Sequence, residues 1–174
     1  MTQIVDRMLR AARLDPALYE EVEHDSQATG QAVGVVVASA LAAGVGGAST
    51  GGLGGLIGLT LAALLGWVLW AGIIYLIGAK VLPTDKTEAT VGQLLRTLGF
   101  AQSPGLLRVL GFIPLLGLIV HFVVGIWMLC SMVVAVRAAL DYDSTGRAIG
   151  VVLLGFLAYM LTFGLVAGAL GIGV

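Results

Sequence analysis

Apolar and polar positions recur at helical period over residues 3–13. Ile4, Val5, Met8, Leu9 and Ala12 share one side, and Asp6, Arg7, Arg10 and Arg13 share the other. The pattern predicts an amphipathic helix over residues 1–14, suited to lying in a membrane interface with its apolar face down. Asp15 and Pro16 then read as a helix start, because Asp caps free N–H groups and Pro has none to lose at the first position. No breaker follows. The helix is therefore expected to carry the polar box Tyr19-Glu20-Glu21-Val22-Glu23-His24-Asp25 straight into a first apolar span at about 32–47.

An uncharged, glycine-rich stretch, Gly46–Gly55, reads as a tight turn before a second span at about 53–79. That span closes on Trp67, Trp70, Tyr75 and Lys80, residues that anchor helices at membrane interfaces. A polar connection, Pro83–Ala89, leads to residues 91–111, which are apolar enough to enter a bilayer yet contain Gln93, Arg96, Gln102, Ser103 and Arg108. Pro104-Gly105 interrupts this piece in the middle. Spans at about 112–137 and 148–172 follow, separated by a second polar box, Asp141-Tyr142-Asp143-Ser144-Thr145-Gly146-Arg147. Gly51 with Gly55, Gly54 with Gly58 and Gly164 with Gly168 are pairs of small residues four apart, expected to bring helices into close contact inside the bundle.

Composition decides what kind of protein this is. The 174 residues are 59% hydrophobic and 11% charged, with a mean hydropathy of +1.03. Soluble domains carry about 25% charged residues, so the chain is read as an all-α, polytopic membrane helical bundle. A net charge of −1 excludes the basic footprint that nucleic acid requires. The single cysteine, Cys130, rules out an internal disulfide. Ala38-Ser39-Ala40 has the small residues of a signal cleavage site, but the long acidic stretch before it is unlike a short basic leader, and no cleavage is expected.

Charge placement sets the expected number of crossings. Cytoplasmic loops carry an excess of Lys and Arg near span ends. With Arg7, Arg10 and Arg13 inside, the glycine turn falls outside and Lys80 and Lys86 inside. Arg137 and Arg147 then fall inside only if residues 91–111 cross. Five transmembrane helices are predicted, the third short and broken, with the N-terminus cytosolic and the C-terminus outside in a cytoplasmic membrane. Two arginines near membrane depth cost about 2.5–3.5 kcal/mol each at the centre, and Arg96 and Arg108 can snorkel toward opposite faces. The break at Ser103-Pro104-Gly105 must face protein or a wet cavity.

Three motifs carry a family likeness. Tyr-Glu-Glu-Val-Glu before the first span, Thr97-Leu98-Gly99-Phe100-Ala101-Gln102-Ser103-Pro104-Gly105, and Asp141-Tyr142-Asp143-Ser144-Thr145-Gly146-Arg147-Ala148 resemble the prokaryotic branch of the Yip1 domain family, over about Leu14–Gly171. The resemblance implies a five-span domain, here residues 15–174, with a cytosolic N-terminus. Eukaryotic members sit in Golgi and endoplasmic reticulum membranes and associate with Rab GTPases in vesicle traffic. They do so with a longer cytosolic N-terminal region than this chain has, so Rab binding does not carry over.

Candidate chemistry is sparse. Glu21 and His24 have the Glu-x-x-His spacing of di-iron bundles, but no second copy stands on a facing helix, so no metal is assigned and the pair remains a minor candidate. Asp143, Ser144 and Thr145 suit the cap of the last span, with Asp141 and Asp143 expected to pair with Arg137 and Arg147 across the turn. Arg96, Gln102, Ser103, Pro104, Arg108 and His121 are intramembrane polar positions, which are functional candidates by default. No nucleophile has a His and acid at matching depth, and no phosphate loop follows a strand. The chain is therefore read as non-enzymatic and without cofactor: a scaffold or adaptor in membrane organisation or a trafficking-like process. Tyr19, Glu20, Glu21, Glu23, Asp141, Tyr142, Asp143 and Arg147 are its expected cytosolic docking face. Its expected contacts are membrane lipids, protein partners or a second copy of itself. The alternative is a small channel, transporter or lipid-moving protein that uses the broken third span.

Overall fold

A computed structural model describes residues 2–47, 52–113 and 115–169, with side chains from Gln3 to Thr162. Every regular element among them is helical. Helix α1, Thr2–Ala12, ends where Leu14 turns left-handed (φ 60°), so that the N–H groups of Leu14 and Asp15 reach back to the carbonyls of Ala11 and Arg10. This is a Schellman stop with Leu in the position where Gly is usual. Asp15 then caps α2, Pro16–His24, accepting the Ala17 N–H at 3.0 Å, with Pro16 at the first position.

The polar box does not run on into the first span. Asp25 leaves helical geometry (ψ 96°), its carboxylate accepts the Gln27 N–H at 3.0 Å, and α3 starts afresh over Ala28–Gly46. A short acidic side chain that bonds to nearby backbone offers the chain an alternative to the helix, and here the alternative prevails.

Helix α4 covers Gly52–Ile74 and continues into wider π turns, Tyr75–Val81. Helix α5, Val91–Phe100, begins with a reciprocal capping box: the Thr90 hydroxyl accepts the Gln93 N–H, and the Gln93 amide oxygen accepts the Thr90 N–H. A 3-10 helix follows, Ser103–Phe112, with Pro104 in its first turn. Helices α6, Leu116–Ala139, and α7, Thr145–Ala169, complete the order. Four stretches are long and apolar enough to cross a membrane: Ala28–Gly46, Gly52–Val81, Leu116–Ala139 and Thr145–Thr162. Their outer faces are bare hydrocarbon, with Leu53 at 79%, Leu65 at 72% and Leu118 at 84% exposed. Water would not tolerate such a belt, and lipid requires it.

The segment with the prolyl break runs beside α3 in the same direction. Gly99 lies on Ala32, Gly105 on Ser39 and Met128, and Gly111 on Gly46 and His121. A Cβ at Gly99 would come within 2.7 Å of Ala32 Cβ, so glycine is what permits this approach. The 3-10 geometry matters as well. It rises about 2.0 Å per residue against 1.5 Å in an α-helix, so ten residues cover about 20 Å and a short segment keeps pace with α3.

Two local expectations change. The inward stripe of α1 is Ile4, Arg7, Met8 and Ala11, while Val5 and Leu9 are more than half exposed. Arg7 turns inward because three acceptors wait there, described below. Gly54 and Gly58 do not pack inside the protomer: a Cβ on either would meet nothing within 4 Å, so the pair faces outward. Gly51, and the surroundings of Gly164 and Gly168, lie outside the described residues, as does the middle of the Gly46–Gly55 turn.

Candidate functional site

Three separated segments meet at one end of the bundle: helix α2, the polar connection 82–90, and the second polar box between α6 and α7. The second box is built as a helix stop. Asp141 takes φ 52°, a left-handed value that Asp accepts more readily than most residues, and the Tyr142 N–H returns to the Arg137 carbonyl at 3.0 Å. Arg137 then holds the turn from its own side chain, donating to the carbonyls of Tyr142 (3.1 Å) and Asp143 (3.3 Å) and to the Thr145 hydroxyl (3.2 Å).

Tyr142 ties this box to α4. The Leu82 N–H bonds five residues back to Ile77, and Pro83 has no N–H, so the Gly78 carbonyl lacks a backbone donor in the π turns. The Tyr142 hydroxyl supplies one, at 2.9 Å from Gly78 O and 2.8 Å from Leu82 O. Thr87 donates to the Leu140 carbonyl, and Lys86 pairs with Asp143 at 3.1 Å. Arg147 donates to the Pro83 carbonyl and stacks over the Tyr142 ring. The expected pairing of Asp141 and Asp143 with Arg137 and Arg147 therefore does not form. Both arginines are drawn to backbone carbonyls that the helix ends leave free, and the Asp143 partner is Lys86.

The first box divides by helix face. Glu21 turns toward α1, where it accepts from Arg7 at 2.9 Å and from Arg10 at 2.6 Å. Arg7 is 4% exposed and also donates to Asp25 (2.9 Å) and Gln31 (3.1 Å), so one guanidinium joins α1, α2 and α3. Arg10 and then Arg7 hold the Glu21 carboxyl below its usual range, and Arg7 does the same for Asp25. Tyr19 is fully buried, its hydroxyl 3.2 Å from the Ser131 hydroxyl and 3.4 Å from the Ala11 carbonyl, so it ties α2 to α6 and α1 from within instead of facing outward.

Glu20, Glu23 and His24 share the opposite face of α2, three and four residues apart. Glu23 is 1% exposed. One carboxylate oxygen accepts from the Gln93 amide at 2.9 Å, and the other, Oε2, is buried with no hydrogen-bond partner among the described residues. Burial, and then the nearby Asp141 charge, pushes this carboxyl up to about 7. Its neighbour Arg96 does not neutralise it directly, because the guanidinium is spent on the Val22 and Glu23 carbonyls at the end of α2. Sequence reasoning placed Arg96 at membrane depth. In the structure it closes the last turn of α2 at the polar end.

Glu20, Lys86, Arg137, Asp141, Asp143 and Thr145 line a cleft of about 430 Å³ where the two boxes face each other. Glu20 and Asp141 enter no ion pair among the described residues. Glu21 and Tyr19 lie away from this cleft, while Tyr142, buried, forms part of its floor.

A profile of the Yip1 domain matches residues 17–165. The chain belongs to the Yip1 domain family. No curated protein and no solved structure matches it. Within this Yip1 domain the three resemblance motifs fall on the α2 face, on the α5/3-10 segment beside α3, and on the α6–α7 helix stop.

The remaining candidates lie in the apolar body. Ser103 donates to the Phe100 carbonyl at 2.6 Å and, with Pro104 and Gly105, is buried in the break. Gln102 lines two cavities, of about 290 and 240 Å³, one on each side of α5 and the 3-10 helix. Arg108 lines the smaller one, its Nε buried without a partner among the described residues. His121 is exposed and bonds to the Gly117 carbonyl at 2.8 Å, away from Gln102. What the sequence missed is the environment of Glu23. Its only visible signal was Thr90-x-x-Gln93, the capping box that holds the residue bonded to Glu23 in place.

Proposed function

We propose that this Yip1 domain protein is a non-enzymatic membrane adaptor that docks a protein partner in the cleft where the two polar boxes meet. The observation that carries the reading is the cleft itself. It is assembled from three segments distant in the chain and held open by the backbone bonds of Arg137, Tyr142 and Thr87. Its unpaired carboxylates, Glu20 and Asp141, fit a basic segment of the partner. A surface positioned this firmly loses little freedom on binding.

In this reading the chain crosses the cytoplasmic membrane five times, through α3, α4, α5 with the 3-10 helix, α6 and α7. The N-terminus is cytosolic, the C-terminus lies outside and α1 rests in the interface. The parallel course of residues 99–111 along α3 supports a third crossing in the same sense as the first. Lys80, Lys86, Arg137 and Arg147 then share the cytosolic side with the N-terminal arginines. Lipid surrounds the apolar belt, and the outward Gly54 and Gly58 leave room for a second copy.

Co-purification from native membranes in mild detergent, with partners identified by mass, tests the docking. Glu20→Lys with Asp141→Lys should abolish capture, and undiminished capture refutes the cleft. Topology is tested on a Cys130→Ser background. Single cysteines at Ser26, Asp85 and Ser144 should label from one face, and one at Leu53 from the other.

A second reading, movement of an ion, solute or lipid, is favoured by Gln102 and by Arg108, whose buried Nε has no partner. Reconstituted protein would then show flux that Gln102→Ala and Arg108→Ala abolish. Flux unchanged in both variants excludes this route.

A further inference from the structure

We infer that Glu20, Glu23 and His24 form a binding site for a first-row divalent transition metal, Mn²⁺ or Zn²⁺. One ligand atom from each lies within 4.8 Å of the others. Bonds of about 2.0–2.2 Å set tetrahedral donors about 3.3–3.6 Å apart, and the two exposed side chains, Glu20 and His24, can close that distance by rotamer changes. The site shares Glu20 with the docking cleft, but its readout is bound metal and not partner, so the two readings can fail separately.

The observation that points to a ligand is the buried carboxylate. Glu23 is 1% exposed, yet its Oε2 has no donor. An ionised oxygen without a partner is costly inside a protein. Neighbouring side chains do not relieve it, because Arg96 and Gln93 are committed elsewhere. Arg96 donates to the Val22 and Glu23 carbonyls, and Gln93 serves the other carboxylate oxygen. A cation among the three side chains supplies the missing partner.

The histidine is prepared for the same role. Its Nδ1 lies 2.9 Å from the Glu20 carbonyl, which can only accept, so Nδ1 carries the proton. The lone pair of the neutral ring is then on Nε2, free for a metal, and the carbonyl fixes the ring as outer partners of ligating histidines commonly do. On the other side, Gln93 fixes Glu23 and is itself fixed by the Thr90 capping box. The donor set chooses the ion: one imidazole with two carboxylates suits Mn²⁺ or Zn²⁺ better than Ca²⁺ or Mg²⁺, which favour oxygen alone. Glu21 is excluded from the site. Its carboxylate is engaged by Arg7 and Arg10 on the far face of α2, so the Glu-x-x-His pair of the sequence is replaced by Glu20, Glu23 and His24.

The test uses full-length protein in nanodiscs, freed of any histidine tag, stripped with chelator and titrated with MnCl₂ and with ZnCl₂. Calorimetry, and the loss of the free Mn²⁺ resonance signal, should both report one site per chain. Glu23→Gln keeps the shape of the side chain. It and His24→Ala, an exposed position, should each weaken binding about tenfold or more, the loss that even outer partners of a metal can cause. Glu21→Gln should bind as the parent does. No uptake by the parent, or unchanged uptake in His24→Ala or Glu23→Gln, overturns the site.

Discussion

Replacing Arg7 with Met should release α1 from the bundle while leaving the rest of the fold intact. The side chain is 5% exposed and joins three helices through Glu21, Asp25 and Gln31. Methionine fills a similar volume but donates nothing. Removing one member of a fully buried ion pair costs about 3–5 kcal/mol, because the other charge is stranded. Here Glu21 is 40% and Asp25 31% exposed, so both can rehydrate. That lowers the cost to about 2 kcal/mol, within the range for one well-made charged hydrogen bond. At 1.4 kcal/mol per factor of ten, the opening equilibrium of α1 shifts about thirtyfold. Hydrogen exchange in nanodiscs at neutral pH measures this directly: amides of residues 5–12 should exchange about thirtyfold faster, with those of α6 unchanged. Arg10→Met is the control. Its pairs with Asp15 and Glu21 are about one-third exposed, so about 1 kcal/mol or less is expected, roughly fivefold at most. Because Arg10 and Arg7 hold the Glu21 and Asp25 carboxyls below their usual range, this contribution is complete above about pH 5. It is lost as the pH falls through the depressed values. Equal effects of the two substitutions, or unchanged exchange in Arg7→Met, would refute the reasoning.

Arg96→Ala should lower the thermal midpoint in detergent, because two carbonyls at the end of α2 lose a charged donor, with a cost of about 1.5–3 kcal/mol. An unchanged midpoint counts against the capping role. Tyr142→Phe keeps the ring but leaves the Gly78 carbonyl without a donor. About 1–3 kcal/mol should be lost, with faster proteolysis in residues 82–90, whereas an identical cleavage pattern would refute the link to α4. Gly99→Val should prevent recovery of monodisperse protein, since its Cβ alone would fall 2.7 Å from Ala32 Cβ, while Gly58→Val should leave the fold of the protomer as stable as the parent's. The reverse ranking would contradict the path of α5 along α3.

Periodicity and hydropathy were enough to read an all-helical membrane protein, because lipid imposes a one-body constraint: a long apolar run must be a satisfied helix. The cap at Asp15–Pro16 was legible for the same reason, since a cap is decided within four residues. The turn after His24 was not. Whether Asp25 stops a helix depends on Arg7, eighteen positions earlier, and on Gln27. The inward face of α1 failed similarly. Hydrophobicity alone turns Val5 and Leu9 to the bundle, but the acceptors Glu21, Asp25 and Gln31 are a stronger pull for Arg7 than contact is for two aliphatic side chains that can face lipid instead. Gly54 and Gly58 show the same limit, because spacing gives a flat surface and not what covers it.

The arginines of this chain make the point about function most sharply. Arg96, Arg108 and Arg137 all sit near the ends of apolar runs and look equivalent in sequence. Arg137 spends its donors on the turn it precedes, and Arg96 on the last carbonyls of a helix more than seventy residues away. Both are structural, and together they make the polar end a fixed platform. Arg108 differs. Its Nε is buried without a partner beside a cavity that Gln102 also lines. A buried donor left unmet is an expense that neither packing nor capping explains. In the transport reading, the route would run past Gln102 and Arg108 rather than through Arg96, which caps α2. In the docking reading proposed above, the partner then meets the polar end, where these bonds hold the cleft.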